Sequence, residues 1–550
     1  VRSRKEAEQK RSCIQHRKQL KSNDIAVHNT DQKEEHAMNS NPNRGSRRKT
    51  KENPLKSIVT SLLTGSLFLS AAMAGETGPS TGAVTKDVPL GHRDFHPSPQ
   101  RPVGWRGDGS ACYPGATPVT EWNLRDGSNI RWQVELPEIK ASAPLSVGDL
   151  VVVLCEPDVL VAYDARTGAQ RWKTEAGIFA AMAPDKAAEL ATDWRQLRAM
   201  ELANVTPELL GKRLTGFDEL NAKLSGYGGQ GDHFPVPGYR TTPTPVSDGQ
   251  RIYVRFPMGA VAAYDLSGKQ VWMNPVVPKI KGGPAVKGVL AEPAHGSSAV
   301  LAAGLLIEVR IGFANAGAMQ AYDPATGAMV WKKAAQVGVN HTQEATPVIL
   351  QSGGESFAFS GGYVVRLKDG TVITPKRLAG GGNYVTAGVQ GDTFVVQGEN
   401  TGTKASPAVA TIAYRVVIDA AGAATVVERW TAQLPYAYRT APVIHDGLVY
   451  YADSPGTLAI LDFTNGTVLQ TPSAPDPKQK PVRIFTRMDP AVAGAQLVLA
   501  GEPGLCFAPL GRSIRPGPSQ ALPFSVNPPA FSGDRLYVTG LRHLICIGKK

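Results

Sequence analysis

An all-β chain built from repeated four-stranded antiparallel units is what this sequence predicts, and three observations predict it. The first is a recurring signature: VLVAYDARTGAQRW at Val159–Trp172, VAAYDLSGKQVW at Val261–Trp272 and MQAYDPATGAMVW at Met319–Trp331. The second is a longer unit around it, in which a Pro, then a Gly, then an apolar run precede the signature, as in Ser142–Trp172 and Thr242–Trp272. The third is composition: 57 Gly and 42 Pro among 550 residues, with 19% charged residues, suit short strands joined by tight turns and exclude coiled coil and disorder.

Each position of the unit has a readable role. The runs DLVVV, RIYV and GLVYY are β-rich and mark strands packed between neighbouring sheets. Asp164, Asp265, Asp323 and Asp462 start turns, where a carboxylate accepts the N–H two residues on. Gly168, Gly268, Gly327 and Gly466 supply the left-handed conformation that ends such a turn. Trp172, Trp272, Trp331 and Trp430 then fall on the last strand, where a large ring fills the gap between splaying sheets. The signature is therefore structural, and its Tyr, Asp and Trp are not a catalytic set.

Weaker copies run through Trp331, Thr346–Ile373, Trp430, Thr440–Gln470, Asp489–Gly511 and Pro528–Gly548. Eight such units predict an eight-bladed β-propeller of four-stranded antiparallel blades, which leaves only short, protected sheet edges. Seven blades is the alternative, if 346–373 merges with its neighbour. The last unit holds three strands and no Trp strand, whereas NIRWQVEL (Asn129–Leu136) resembles a Trp strand with no unit of its own. The ring is expected to close by joining them. Between the first two units, Leu190, Trp194 and Leu197 recur at helical spacing, predicting a small helical insert at about 178–225 that acts as a lid, a docking element or plain packing.

The formal charge of +12 is concentrated at the start: residues 1–56 hold 15 Lys/Arg and 7 Asp/Glu, leaving 44 and 40 elsewhere. The high charge therefore does not argue for a nucleic-acid partner. Basic residues from Arg44 to Lys56 precede the uncharged run Ser57–Ala74, which ends Ala72-Met73-Ala74. This pattern is that of a secretory signal cleaved before Gly75, with the true start at Met38 a further expectation. Residues 1–74 are thus expected to be a leader, 75–120 a linker and strap, and 121–550 the propeller. The delivered chain is expected in the periplasm or secreted, with no stable membrane anchor once the signal is cleaved. Cys112, Cys155, Cys506 and Cys546 would then meet an oxidising compartment, as two bridges or as single buried thiols.

The A-Y-D-x-x-T-G-x-x-x-W copies resemble the quinoprotein (PQQ-type) propeller repeat over about 120–548. The resemblance implies a propeller and two alternative functions. Quinoprotein alcohol and sugar dehydrogenases carry pyrroloquinoline quinone and Ca²⁺ in the central channel. The propeller lipoprotein of outer-membrane assembly binds protein partners without chemistry. This chain lacks the adjacent cysteine pair of many of the former and the lipid-bearing cysteine of the latter.

The expected function is a non-catalytic ligand- or protein-binding scaffold acting through the channel mouth, the alternative being a PQQ-dependent dehydrogenase. Polar residues expected there are Arg240, His295, His341, Glu344, Tyr438, Arg439, Arg487 and Asp489 from loops entering the inner strands. Glu156 and Glu502 come from mid-blade hairpins, with Tyr384, Glu399 and Asp453 beside them. Such groups suit a protein partner, a small polar or sugar ligand, or a cation.

Overall fold

In a computed structural model of the chain, the described residues lie between 88 and 550. The stretches 204–241, 275–296, 311–317, 334–344, 380–385, 401–407 and 472–488, with some short gaps, are not described. These residues belong to one compact unit, Gly82–Lys550. Its described residues form eight sheets. Blade 1, for example, runs Leu145–Val147, Leu150–Cys155, Val159–Asp164 and Gln170–Glu175, each strand antiparallel to the next. First strands of neighbouring blades touch, which places them innermost. Eight separate sheets decide between the two blade counts: residues 346–373 form a sheet of their own.

The ring closes as the unpaired Trp strand requires. Ile130–Glu135 pairs antiparallel with His543–Ile547, so blade 8 takes three strands from the C-terminus and its outermost from before blade 1. Two blades depart from four strands. Blade 4 has three (Val348–Ser352, Glu355–Ser360, Tyr363–Arg366), its fourth reduced to one bridge between Val365 and Val372. Pro375, three residues on, cannot donate to a ladder. Blade 7 has five, because Cys112–Tyr113 adds in parallel to its innermost strand, Asp489–Ala493.

The turn reading holds atom by atom: Asp164, Asp265, Asp323 and Asp462 accept the N–H two residues on at 2.7–3.0 Å. The tryptophan does something more specific than fill a gap. Trp172 on blade 1 lies flat against Gly268 in the outer turn of blade 2, where a Cβ would sit 2.6 Å from the ring. Its Nε1 donates to Leu266 O at 2.8 Å. The same stack joins Trp132 to Gly168, Trp272 to Gly327, Trp331 to Gly370 and Trp430 to Gly466, each with its indole N–H on a carbonyl of the next turn at 2.9–3.3 Å. The glycine is thus needed for φ and for the missing Cβ together. The indole covers one blade's end with the next blade's turn.

The helical insert begins with α1 (Ile178–Met182) and α2 (Ala187–Ala203). Leu190 and Trp194 are buried against Ile178 and Phe179, as the spacing predicts; the Leu197 side chain and residues 204–225 lie outside the described residues. Arg195 of α2 pairs with Glu138 at 2.9 Å, tying the insert to the chain before blade 1. The four cysteines described are free thiols. Burial pushes Cys155 and Cys546 up to about 12. Among the described residues no helix is long and apolar enough to cross a membrane.

Candidate functional site

The face carrying the mid-blade hairpins and the entering loops is built on the ends of buried strands. Leu150–Cys155 and Val159–Asp164 are fully buried runs, and their hairpin holds Glu156, a cis peptide to Pro157, and Asp158. Glu156 is 4% exposed; its Oε1 accepts from Thr242 Oγ1 at 2.9 Å and faces Lys140 Nζ at 3.4 Å. It joins blade 1 to the chain entering blade 2. Asp158 is buried, and desolvation pushes its carboxyl above the usual range despite Arg195 and the N–H groups of Gly177 and Ile178. Asp453, in the corresponding hairpin of blade 6, accepts from Thr440 Oγ1 at 3.0 Å.

Between blades 2 and 3 a buried ion pair joins Arg255 to Glu308, Nε to Oε2 at 3.2 Å, with both side chains at 0% exposure. Tyr322 OH donates to Glu308 Oε1 at 2.7 Å and Arg255 also reaches Ser297 O. A removed partner would leave an uncompensated buried charge, so the pair fixes these two blades in one register. A belt of hydroxyls continues the linkage. Thr244 N donates to Ser298 Oγ, Ser298 N to Thr346 Oγ1, and Thr346 N to Thr386 Oγ1, at 2.9–3.1 Å, stepping from blade 2 to blade 5.

Inside the ring, the segment 88–117 occupies the space between inner strands. Val103 pairs with Ser247 of blade 2, and Gly91 O accepts from Gly533 of blade 8. Cys112–Tyr113 lies on blade 7, and the Tyr113 ring meets Phe531 of blade 8 at 4.8 Å. Arg106 is the centre of this arrangement. Its guanidinium, 4% exposed, donates to Ala441 O and Pro442 O of blade 6 and Pro490 O of blade 7, at 2.8–3.2 Å. Burial works against its charge, and Asp489, at the start of blade 7's inner strand, works for it. Arg106 and Ala111 both have positive φ, 55° and 59°, a cost that the surrounding contacts hold in place.

Four of the expected mouth residues are therefore placed by the structure, Asp453 among them as a buried acceptor for Thr440. Glu156 is a buried tie between blades. Tyr438 is 2% exposed, its ring packed on Tyr451 at 5.1 Å, its N–H on Gln397 Oε1 at 2.7 Å and its hydroxyl on Thr457 O. Asp489 is half-buried beside Arg106. Arg240, His295, His341, Glu344, Tyr384, Arg439, Arg487 and Glu502, and the Glu399 side chain, lie outside the described residues. Sequence reasoning missed Arg106 and the Arg255–Glu308 pair. The signal for Arg106 was its setting, GWRGDG, where glycines on both sides let backbone approach backbone; nothing local marks Arg255 or Glu308 as partners.

A planar quinone with its cation needs an open axial seat and converging donors. Segment 88–117 lies against the inner strands of blades 6, 7 and 8, and no group of three His, Cys, Asp or Glu side chains among the described residues could hold a metal ion. Most of the loops entering the inner strands, where such donors would converge, lie outside the described residues.

Two overlapping stretches, 117–306 and 238–472, match the family described as outer membrane protein assembly factor BamB. The chain belongs to this family. No curated protein matches it. Among solved structures it is similar to BamB from Moraxella catarrhalis (13% identity, TM-score 0.44, covering 76% of this chain and 99% of that one). It is also similar to a quinohemoprotein alcohol dehydrogenase from Comamonas testosteroni (12% identity, TM-score 0.44, covering 82% and 81%). Membership in the BamB family, rather than these distant likenesses, is what bears on function.

Proposed function

We propose that this chain is an exported, non-catalytic propeller that holds a protein partner during the assembly of outer-membrane proteins. Family membership across 117–472 carries the reading. The segment that Arg106 holds inside the ring supports it, since that segment takes up space beside blades 6 and 7 that a deep reaction chamber would need. In this reading residues 1–74 are a leader removed before Gly75, residues 75–120 are a linker and strap, and residues 121–550 form the ring, with the insert at about 178–225. The partner-binding face is the channel mouth, where Arg240, His295, His341, Glu344, Arg439 and Arg487 of the entering loops and Glu502 of a mid-blade hairpin supply the polar contacts.

Removing the gene tests this. The expected result is a lowered content of folded β-barrel proteins in the outer membrane, restored by the full chain. An unchanged outer membrane, together with quinone- and Ca²⁺-dependent oxidation of alcohols or sugars by the purified protein, would replace this reading with the dehydrogenase one.

A further inference from the structure

The circumference of the ring is not uniform, and its most unusual arc lies across blades 3 and 4. The outer strand of blade 3, Met329–Lys333, reads MVWKK. Met329 and Val330 are each 51% exposed, the most exposed of the large hydrophobic side chains among the described residues. Lys332 is exposed beside them. Blade 4, with its stunted outer strand, adds exposed Lys368, Lys376 and Arg377. The two stretches abut: Lys333 and Trp331 pack on Gly370, Trp331 Nε1 reaches Leu367 O at 2.9 Å, and Arg377 packs on Gly362.

The charges on this arc do not cancel. Its acids are Glu355 and Asp369, which both face Arg366 at 3.7 and 3.4 Å, and Asp323, which starts the blade 3 turn and accepts the Ala325 N–H, fewer than the cations around them. Lys332, Lys333, Lys368, Lys376 and Arg377 form no ion pair among the described residues. On two other outer strands an arginine is paired: Arg171 of blade 1 meets Asp149 and Asp164, and Arg131 of blade 8 meets Asp534. The arc is also the convex edge of the ring, which suits a broad flat partner better than a peptide seeking a groove. Two apolar side chains among long-stemmed cations match an anionic interface in both its parts: stems and apolar groups enter the headgroup region while the ammonium ends stay at the phosphates.

We infer that the rim of blades 3 and 4 is a peripheral binding surface for an anionic phospholipid bilayer, with Met329 and Val330 as its apolar contact and Lys332, Lys368, Lys376 and Arg377 as its charged one. This inference is independent of the partner proposed above. A chain that fails in assembly could still bind vesicles, and the reverse.

The test is co-sedimentation of the full chain with vesicles of phosphatidylcholine alone or with phosphatidylglycerol, across a range of salt. Because residues 1–56 are themselves basic, the reading is the difference between chains carrying the same leader. Lys332→Glu/Lys368→Glu/Lys376→Glu is expected to weaken binding to anionic vesicles by at least about tenfold at low salt. Met329→Ser/Val330→Ser is expected to weaken it severalfold with a smaller salt dependence, and Lys269→Glu on blade 2 to leave it unchanged. Thermal unfolding of each variant, matched to the parent, shows that the ring is intact. Equal binding by the parent and the triple variant overturns the inference, as does equal binding to neutral vesicles. Failure to bind vesicles alongside salt-sensitive binding to an acidic polypeptide overturns it too, in favour of a protein surface.

Discussion

Blades 8, 1, 2, 3 and 4 are joined differently from blades 6, 7 and 8. Along the first arc every junction is a tryptophan laid on the next blade's turn glycine, with one indole hydrogen bond, and the junction from blade 5 to blade 6 repeats it. From blade 6 to 8 no described outer strand carries such a ring. There Gln470 takes Ile514 through both ends of its amide, at 2.7 and 3.0 Å, and Arg512 pairs with Asp462 at 3.2 Å. The inner segment supplies the rest, through Arg106, Cys112–Tyr113 and Gly91. Blade 4 to blade 5 is a third case, joined by Phe359, Phe394 and Tyr414 with ring centroids 4.4 and 5.5 Å apart. The lesson is that a junction without the rim staple is held by other means, by stacked rings between blades 4 and 5 and from inside the ring at blades 6 to 8.

The largest effect is expected at the clasp. Arg106→Ala strips three carbonyls of their donor in a site closed to water, and should cost about 4 kcal/mol of stability in denaturant titration. A cost near zero would mean that blades 6 and 7 hold without it. On the stapled arc, Gly268→Ala should cost about 3 kcal/mol, because the new Cβ meets the Trp172 ring as well as a φ of +84°. Gly422, in the outer turn of blade 5, has almost the same φ, +81°, with nothing within 4 Å of its would-be Cβ, since blade 4 sends no tryptophan to it. Gly422→Ala should therefore cost only about 1 kcal/mol. Equal costs at the two positions would mean that the stack contributes nothing beyond backbone conformation.

Trp172→Phe sharpens the same point. It keeps an aromatic ring on Gly268 and deletes the 2.8 Å bond to Leu266 O, and should cost about 1 kcal/mol. The smallest effect is a pH dependence. Burial raises the Asp164 carboxyl, but Arg171, the Thr167 N–H and hydroxyl, and the Arg166 N–H together hold it well below the usual carboxylate range. A depressed native value contributes stability that is present at neutral pH and is lost as pH falls below about 4 toward that value. Asp164→Asn should thus flatten the fall in unfolding free energy measured from neutral to acid pH.

Much of the fold was legible because each unit writes its own turn and its own wedge. The Asp, Gly and Trp positions marked the outer turn and last strand of blades 1, 2 and 3, and the isolated Trp132 strand gave the closure. What the tryptophan rests on was not legible, since Gly268 lies 96 residues from Trp172 and only the ring brings them together. The candidate site was less readable for a physical reason. Polarity at a loop or hairpin does not distinguish a group facing a ligand from one tied into the fold: Glu156 bridges two blades, and the Tyr438 side chain is spent inside blade 6. Arg106 escaped notice because its partners are backbone carbonyls, which no side-chain pattern announces.

Native-state hydrogen exchange on Arg106→Ala and the parent tests the central contrast most directly. Loss of protection confined to the inner strands of blades 6, 7 and 8 (443–445, 489–493 and 530–532), with blades 2 and 3 as slow as before, is the predicted result. Protection lost evenly around the ring, or not at all, would contradict the division into a stapled arc and a clasped one.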